Sequence, residues 1–285
     1  MSVGELSIPS LFKVYGKIAL VTGGSSGIGK MIASGLVSNG AKVYIAARKE
    51  HQLKEASDEL NKAGPGSCHY IVADLSNKTG CDALVAEFKK RESVLHILVN
   101  NSGTSWGAPW DNVPEWEGWD RVMALNVKSI FYMTVGLSDL LVKEATAEDP
   151  GRIINISSVA SVSAQAEGSE VADTGRGLWS YNTSKAAVNH LTSQLAVSLG
   201  RRKITVNAIL PGFFASKMTA FGLKKNGEEK FASLHPMGRM GGPADMAGVA
   251  LFLCSPASSH VTGAHIMLDG GTALAGGNRA PATKL

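Results

Sequence analysis

The sequence predicts one large α/β domain in which short parallel strands alternate with helices. Three observations carry that prediction. Short apolar runs at 17–21, 41–46, 68–73, 97–99, 152–156, 205–209 and 265–268 are separated by segments of mostly helical periodicity. The chain has 285 residues, 44% of them hydrophobic, enough for one substantial core. Its 32 glycines accompany that apolar content, which suits tight strand–helix turns rather than disorder. There is no internal repeat and no linker to a second domain. Residues 1–15 read as an arm, 16–271 as the domain, and the Gly/Ala/Pro-rich stretch 272–285 as a mobile tail.

Composition excludes several function classes. The net charge of +4 is spread along the chain, with no basic stripe interleaved with aromatics, which argues against nucleic acid as a partner. Cys68, Cys81 and Cys254 lie far apart, and the seven histidines form no His-x-x-x-His pair, so no metal site and no disulfide framework is expected. A reducing compartment, the cytoplasm, is the default. No apolar run approaches the roughly 20 residues of a membrane span. The N-terminus lacks the basic flank and apolar core of a signal peptide. The final Thr283-Lys284-Leu285 distantly echoes the peroxisomal Ser-Lys-Leu, a weak alternative address because threonine replaces serine.

The first predicted strand breaks into Thr22-Gly23-Gly24-Ser25-Ser26-Gly27-Ile28-Gly29, and a helix follows with Met31, Ile32, Leu36 and Val37 apolar. Strand, glycine loop and helix N-terminus form an anion cradle, because free N–H groups and the helix dipole point at the ligand. The second strand ends in Ala47-Arg48-Lys49. An acidic residue there would bind a ribose 2′-hydroxyl and repel a 2′-phosphate. Ala47 removes the repulsion, while Arg48 and Lys49 offer donors to phosphate, so NADP(H) is expected over NAD(H). Asp74-Leu75, after the third strand, either touches an adenine ring or lets Asp74 cap the helix around 80–91. The fourth strand ends in Asn100-Asn101-Ser102-Gly103, whose amides can brace neighbouring loops and reach a ribose.

Residues 104–119 hold four of the five tryptophans. Packing of a long loop onto the domain is the expected role for most of them. Trp106 and Trp110, nearest the strand end, are candidates for substrate contact. Asn126, polar within Leu125-Asn126-Val127, either holds a water beside Lys185 or braces its helix. The strand at 152–156 opens into Ser157-Ser158-Val159. Next comes Tyr181-Asn182-Thr183-Ser184-Lys185, heading a helix with Val188, Leu191, Leu195 and Leu199 on one stripe. Gly200 is expected to stop that helix, with Arg201, Arg202 and Lys203 at its negative dipole end. Tyr181 and Lys185 are four apart and share a face. A fixed ammonium favours phenolate, and bringing a phenol from about 10 to near 7 takes about 4 kcal/mol, which Lys185, helped by a cationic cofactor ring, would supply. Taken alone, such a pair is an ordinary feature of helices. After the strand at 205–209 come Pro211-Gly212 and an apolar flap of Phe213, Phe214, Met218 and Phe221. A helix around 244–253 and a strand at 265–268 ending at Asp269-Gly270-Gly271 complete the domain.

Together these residues resemble the short-chain dehydrogenase/reductase family. The resemblance rests on Thr22-Gly23-x-x-x-Gly27-x-Gly29, Asn100-Asn101-Ser102-Gly103, Asn126, Ser158, Tyr181-x-x-x-Lys185 and Pro211-Gly212, in that order over residues 16–271. Gly103-Thr104-Ser105-Trp106-Gly107 and Pro236-Met237-Gly238-Arg239 resemble β-ketoacyl reductases and related fungal ketone reductases in particular. The resemblance implies a Rossmann-type, doubly wound, seven-stranded parallel sheet with helices on both faces, and a homo-oligomer, a tetramer or a dimer. It also implies roles. Tyr181 would give its proton to the carbonyl oxygen, Lys185 would lower the tyrosine pKa and bind the nicotinamide ribose, Ser158 would bond the substrate oxygen, and Asn126 would support a relay water. The cofactor set it implies is Gly23, Ser25, Ser26, Gly27, Ile28, Gly29, Arg48, Lys49, Asp74, Leu75, Asn101, Ser102, Gly103, Tyr181, Lys185, Pro211, Gly212, Phe214 and Ser216. Trp106, Ser158, Phe213 and Met218 are the substrate candidates, and no metal is implied.

The chain departs from the family pattern at three places. Ser102 stands where alanine is usual. Ser216 stands where a threonine is customary after Pro211-Gly212. Ser158 and Tyr181 are 23 residues apart (181 − 158), more than the family's usual spacing, which leaves an insertion at about 163–177. That insertion is either a lid or selectivity loop or a passive surface excursion. The expected activity is NADPH-dependent reduction of a small-molecule ketone or β-ketoacyl group to a secondary alcohol. An NAD-dependent alcohol dehydrogenase is the alternative that Ala47-Arg48 opposes. A non-catalytic nucleotide sensor is the alternative that the intact Tyr181–Lys185 pair opposes.

Overall fold

The computed structural model describes residues 6–167, 175–216, 219–220, 223–224, 227–233 and 235–275. In chain order the first half comprises α1 (Ile8–Leu11), β1 (Ile18–Thr22), α2 (Gly27–Ser38), β2 (Lys42–Ala47), α3 (Glu50–Asn61), β3 (Ser67–Val72), α4 (Lys78–Arg91) and β4 (Ile97–Asn100). A composite helix follows, with α5 (Arg121–Met123) and α6 (Ser129–Val142) as its regular parts. Then come β5 (Gly151–Ile156), α7 (Trp179–Gly200), β6 (Ile204–Pro211), α8 (Glu228–Ser233), α9 (Pro243–Cys254) and β7 (His265–Leu268).

Alternation along the strands divides the core in two. Ala19, Val21, Val43, Ile45, Val99 and Ile154 face α2, α3 and α9, where Ile32, Leu36, Leu53 and Met246 meet them. Leu20, Tyr44, Leu98, Ile153 and Val206 face α4, α6 and α7, against Phe88, Met133, Leu137 and Leu195. The sheet is parallel throughout, in the order β3-β2-β1-β4-β5-β6-β7. The Rossmann-type, doubly wound, seven-stranded sheet is therefore as expected. The order reverses between β1 and β4, and the crevice outside the carboxyl ends of those strands is where such sheets bind ligands.

Several local features differ from the sequence expectation. The arm carries the one-turn helix α1, and Val14 behind it is 1% exposed. Asn77, not Asp74, caps α4: its Oδ1 accepts from the Gly80 N–H at 2.9 Å. Two π-helical stretches, Glu115–Asp120 and Ala124–Lys128, interrupt the helix that runs from Glu115 to Val142. This is the one helix among the described residues long and apolar enough to cross a membrane, yet 44% of its apolar window is buried inside the domain. Gly200 is the last residue of α7 rather than its stop, and Lys203 takes the left-handed turn at φ 59°. Trp110, Trp116 and Trp119 do not pack the loop down but stand 73%, 64% and 36% exposed.

A buried polar chain fixes α7 against the sheet. Asn100 Nδ2 donates to Asn155 Oδ1 (2.9 Å), Asn155 Nδ2 donates to Thr192 Oγ1 (2.9 Å), and Thr192 Oγ1 donates to the Val188 carbonyl (2.8 Å). At the amino ends of the central strands β1 and β4, His96 Nδ1 accepts from the Ile18 N–H (2.9 Å), so its proton sits on Nε2, 3.0 Å from Glu144 Oε2.

Candidate active site

The glycine loop is held from β4. Thr22 Oγ1 accepts from the Asn101 and Ser102 N–H groups at 2.9 and 3.0 Å. Asn101 Nδ2 donates back to the carbonyls of Thr22 (2.8 Å) and Gly23 (3.2 Å). Gly23 needs its positive φ of 67° here. At Gly29 a Cβ would lie 2.4 Å from both Asn101 Nδ2 and the Gly23 carbonyl, so this glycine lets α2 pack behind the loop. Ser26 begins α2 without a side-chain cap bond, which leaves the N–H groups of the first turn open to a ligand.

A cavity of about 510 Å³ joins this cradle to the tyrosine helix. Gly23, Ser25, Ser26, Gly27 and Ile28 line it at one end, with Arg48, Asp74 and Leu75 beside them; Ser158, Tyr181 and Lys185 line the other, and Asn101, Ser102 and Gly103 run between the two. Pro211, Gly212, Phe213, Phe214 and Ser216 complete it. Arg48 is exposed and, among the described residues, forms no ion pair; Lys49 begins α3 and is not part of the lining. Asp74 uses Oδ1 to accept from the Ser76 N–H at 3.0 Å. Ser216 closes over the cradle, its Cβ 3.1 Å from where a Cβ on Gly27 would lie.

At the reactive end Lys185 is 4% exposed and donates from Nζ to the Ile156 carbonyl at 2.7 Å. Ser157 Oγ donates to the Lys185 carbonyl at 3.0 Å, anchoring that turn of α7. Burial pushes the Lys185 ammonium down to about 8. Burial also raises the Tyr181 phenol above its ordinary value, against a smaller opposing effect of the Ser158 hydroxyl bonded to it. The expected lowering of the tyrosine pKa is therefore not produced by the chain alone. Nζ lies 5.7 Å from the Tyr181 ring centre and is spent on a carbonyl, while desolvation keeps the proton on the phenol.

Asn126 is fully buried and does not line the cavity. Its Oδ1 accepts from the Thr104 N–H (2.8 Å), and its Nδ2 donates to the Thr104 carbonyl and to Ser184 Oγ (both 2.9 Å). With every amide hydrogen engaged, its side chain braces the loop after β4. Trp106 lies outside the lining, its Cδ1 3.3 Å from the position of a Cβ on Gly118. Phe213 presents an apolar wall, backed edge-on by Phe231 and His235 with ring centres 4.9 and 5.6 Å away. Met218 and Phe221 lie outside the described residues, as do 168–174 of the insertion and the terminal Thr-Lys-Leu.

Sequence reasoning missed Ser105, Leu125, Val159, Leu178 and Thr219 as lining residues. Val159, Leu125 and Thr219 adjoin the candidates Ser158, Asn126 and Met218, and Ser105 stands within Gly103–Gly107; Leu178 carries no local signal.

A family model described as enoyl-(acyl carrier protein) reductase matches residues 23–273. The chain is 42% identical over 261 residues to the rhamnolipids biosynthesis 3-oxoacyl-(acyl-carrier-protein) reductase of Pseudomonas aeruginosa, covering 91% of this chain and 97% of that protein. It is 32% identical to the short-chain dehydrogenase/reductase PhomF of Diaporthe leptostromiformis, covering 94% of each. Among solved structures the Pseudomonas aeruginosa RhlG/NADP active-site complex superposes with a TM-score of 0.84 at 42% identity, covering 92% of this chain and 98% of that one. Motifs, sheet order and relatives agree: the chain belongs to the short-chain dehydrogenase/reductase family.

Proposed function

We propose that this oxidoreductase uses NADPH to reduce a ketone or β-ketoacyl group to a secondary alcohol. The observation that carries the reading is one cavity with an anion cradle and Arg48 at one end and Tyr181, Ser158 and Lys185 at the other. Open N–H groups at the start of α2 suit a pyrophosphate, and Ala47-Arg48 suits a 2′-phosphate. Asp74 and Leu75 would flank the adenine, and Lys185 with Asn101 would face the ribose near the reacting end. Bound there, the cofactor supplies the hydride. Tyr181 gives the carbonyl oxygen its proton from Oη, which burial keeps protonated near neutrality. Ser158 Oγ, held by the Ala160 N–H at 3.1 Å and bonded to the Tyr181 phenol, would turn its proton to the substrate oxygen as negative charge develops there. Leu125, Leu178 and Phe213 make the surrounding wall apolar, in keeping with an acyl or alkyl substituent. The 42% identity to a 3-oxoacyl reductase supports the β-ketoacyl choice.

Exposed Phe131 and Val135 on α6 and Val197 on α7 support assembly with further copies of the chain. Three buried, unpaired cysteines suit a reducing compartment, the cytoplasm. The test is absorbance at 340 nm with NADPH or NADH against acyl thioesters and cyclic and aromatic ketones, for the wild type and Tyr181→Phe. Turnover with NADPH that falls about 1,000-fold in Tyr181→Phe, with NADPH affinity unchanged, is expected. Equal turnover by the two proteins would overturn the mechanism.

A further inference from the structure

The insertion ahead of α7 is fastened at both described ends. Gly177 N–H donates to the Ala108 carbonyl (2.8 Å), and Ala108 N–H donates to the Gly177 carbonyl (3.1 Å), an isolated antiparallel bridge. The next residue, Leu178, donates its N–H to the Ala166 carbonyl at 2.9 Å. Arg176 Nη1 reaches the Gly107 carbonyl (3.1 Å), and Asn182 Nδ2 reaches the Gln165 carbonyl (3.1 Å). A Cβ at position 177 would meet Trp179 Nε1 at 2.6 Å, so glycine lets the indole fold against the bridge. Ala108 and Ala166 are 3% and 9% exposed, so these backbone bonds are shielded from water.

Leu178 is thus held from two directions, by the loop after β4 and by the start of the insertion. It is 8% exposed, lines the cavity, and sits three residues before Tyr181, at the mouth of the same helix. Ser105, from the loop that carries the bridge, lines the same cavity. We propose that Leu178, clamped by the 108–177 bridge, is the wall that limits the size of the group attached to the substrate's carbonyl carbon. This rests on the ketone-reducing reading. It makes the base of the insertion a rigid part of substrate selection rather than a surface excursion. A branched side chain on a fastened backbone cannot move aside for a bulkier substituent, whereas one on a free loop can.

The experiment compares kcat/KM for NADPH-dependent reduction of three 3-oxoacyl N-acetylcysteamine thioesters, bearing methyl, propyl or phenyl on the keto carbon. In Leu178→Ala the phenyl-to-methyl ratio should rise about 10-fold or more, chiefly through KM. Leu178→Phe should lower the same ratio by a similar factor, and Leu178→Met should hold it within about twofold. NADPH affinity, read by fluorescence, should be the same in all. If Leu178→Ala does not fold, the phenylalanine and methionine variants decide the matter. An active wild type with a ratio unmoved in folded variants overturns this inference alone. A wild type that reduces none of the three overturns the functional reading and the inference with it.

Discussion

Replacing Lys185 by methionine should abolish turnover yet leave stability near neutrality almost unchanged, and the two proteins should diverge as pH rises. In the folded chain the ammonium titrates at about 8, whereas the unfolded chain holds its proton to about 10.4. Below both values the buried charge costs about 3 kcal/mol. Between them the unfolded state binds more protons than the folded one, so wild-type stability rises with pH through this window. Integrated from pH 7 to pH 10, the gain is about 2–3 kcal/mol, and the methionine variant has no such group. At pH 7 the substitution removes the cost of the charge but strips the Ile156 carbonyl of its donor, a loss of about 1–3 kcal/mol. The two nearly cancel. Urea unfolding of both proteins at pH 7, 8.5 and 10 reads the difference directly, and Tyr181, present in both, drops out of it. A difference constant to within about 0.5 kcal/mol across that range would refute the reasoning.

Arg48→Ala should weaken NADPH binding about 10- to 100-fold, the worth of a charge-assisted bond, and leave NADH binding unchanged; equal effects on the two would overturn the 2′-phosphate assignment. Gly29→Ala should lower the melting temperature by several degrees, because the new Cβ meets Asn101 Nδ2 and the Gly23 carbonyl at 2.4 Å and overpacking costs about 1–3 kcal/mol; an unchanged melting curve would contradict that contact. His96→Gln should flatten the loss of stability in acid. Burial lowers the His96 pKa, so as pH falls below about 6.5 the unfolded state takes up a proton that the folded ring, already accepting from Ile18, resists. Wild type should therefore lose stability through that range and the variant should not; parallel melting curves between pH 7 and 5 would exclude His96 as the cause.

Much of the scaffold was legible because its signals are local. Every strand run predicted from apolar content is present to within a residue or two, and the carboxyl ends of those strands converge as Gly23, Asn101, Ser158 and Pro211 suggested. The misses share a physical cause. A run of tryptophans states how much apolar surface the chain carries, not which way it faces, so Trp110, Trp116 and Trp119 were misjudged. Periodicity assumes 3.6 residues per turn, which hides the π-helical turn that sets Asn126 against Thr104 and Ser184. Leu178 reaches the cavity only through backbone bonds to Ala166 and a bridge at Ala108, long-range partners that leave no mark on its own neighbours.

The Asn100–Asn155–Thr192 chain has a consequence in time as well as in space. Its link from Asn155 to Thr192 is joined by the bonds between α7 and β5's end at Ser157–Lys185 and Lys185–Ile156, so α7 cannot slip by a helical turn, about 5.4 Å, without stranding several buried polar groups at once. Intermediate slippages are therefore sparsely populated, and α7 separates from the sheet only when the central strands themselves come apart. Amide protons near Val188 and Thr192 should exchange with solvent at the slow rate of whole-molecule opening, while those of the exposed Trp110 and Asp111 exchange quickly. Tyr181 and Lys185, three and two turns closer to the start of the same helix, inherit that long-lived alignment.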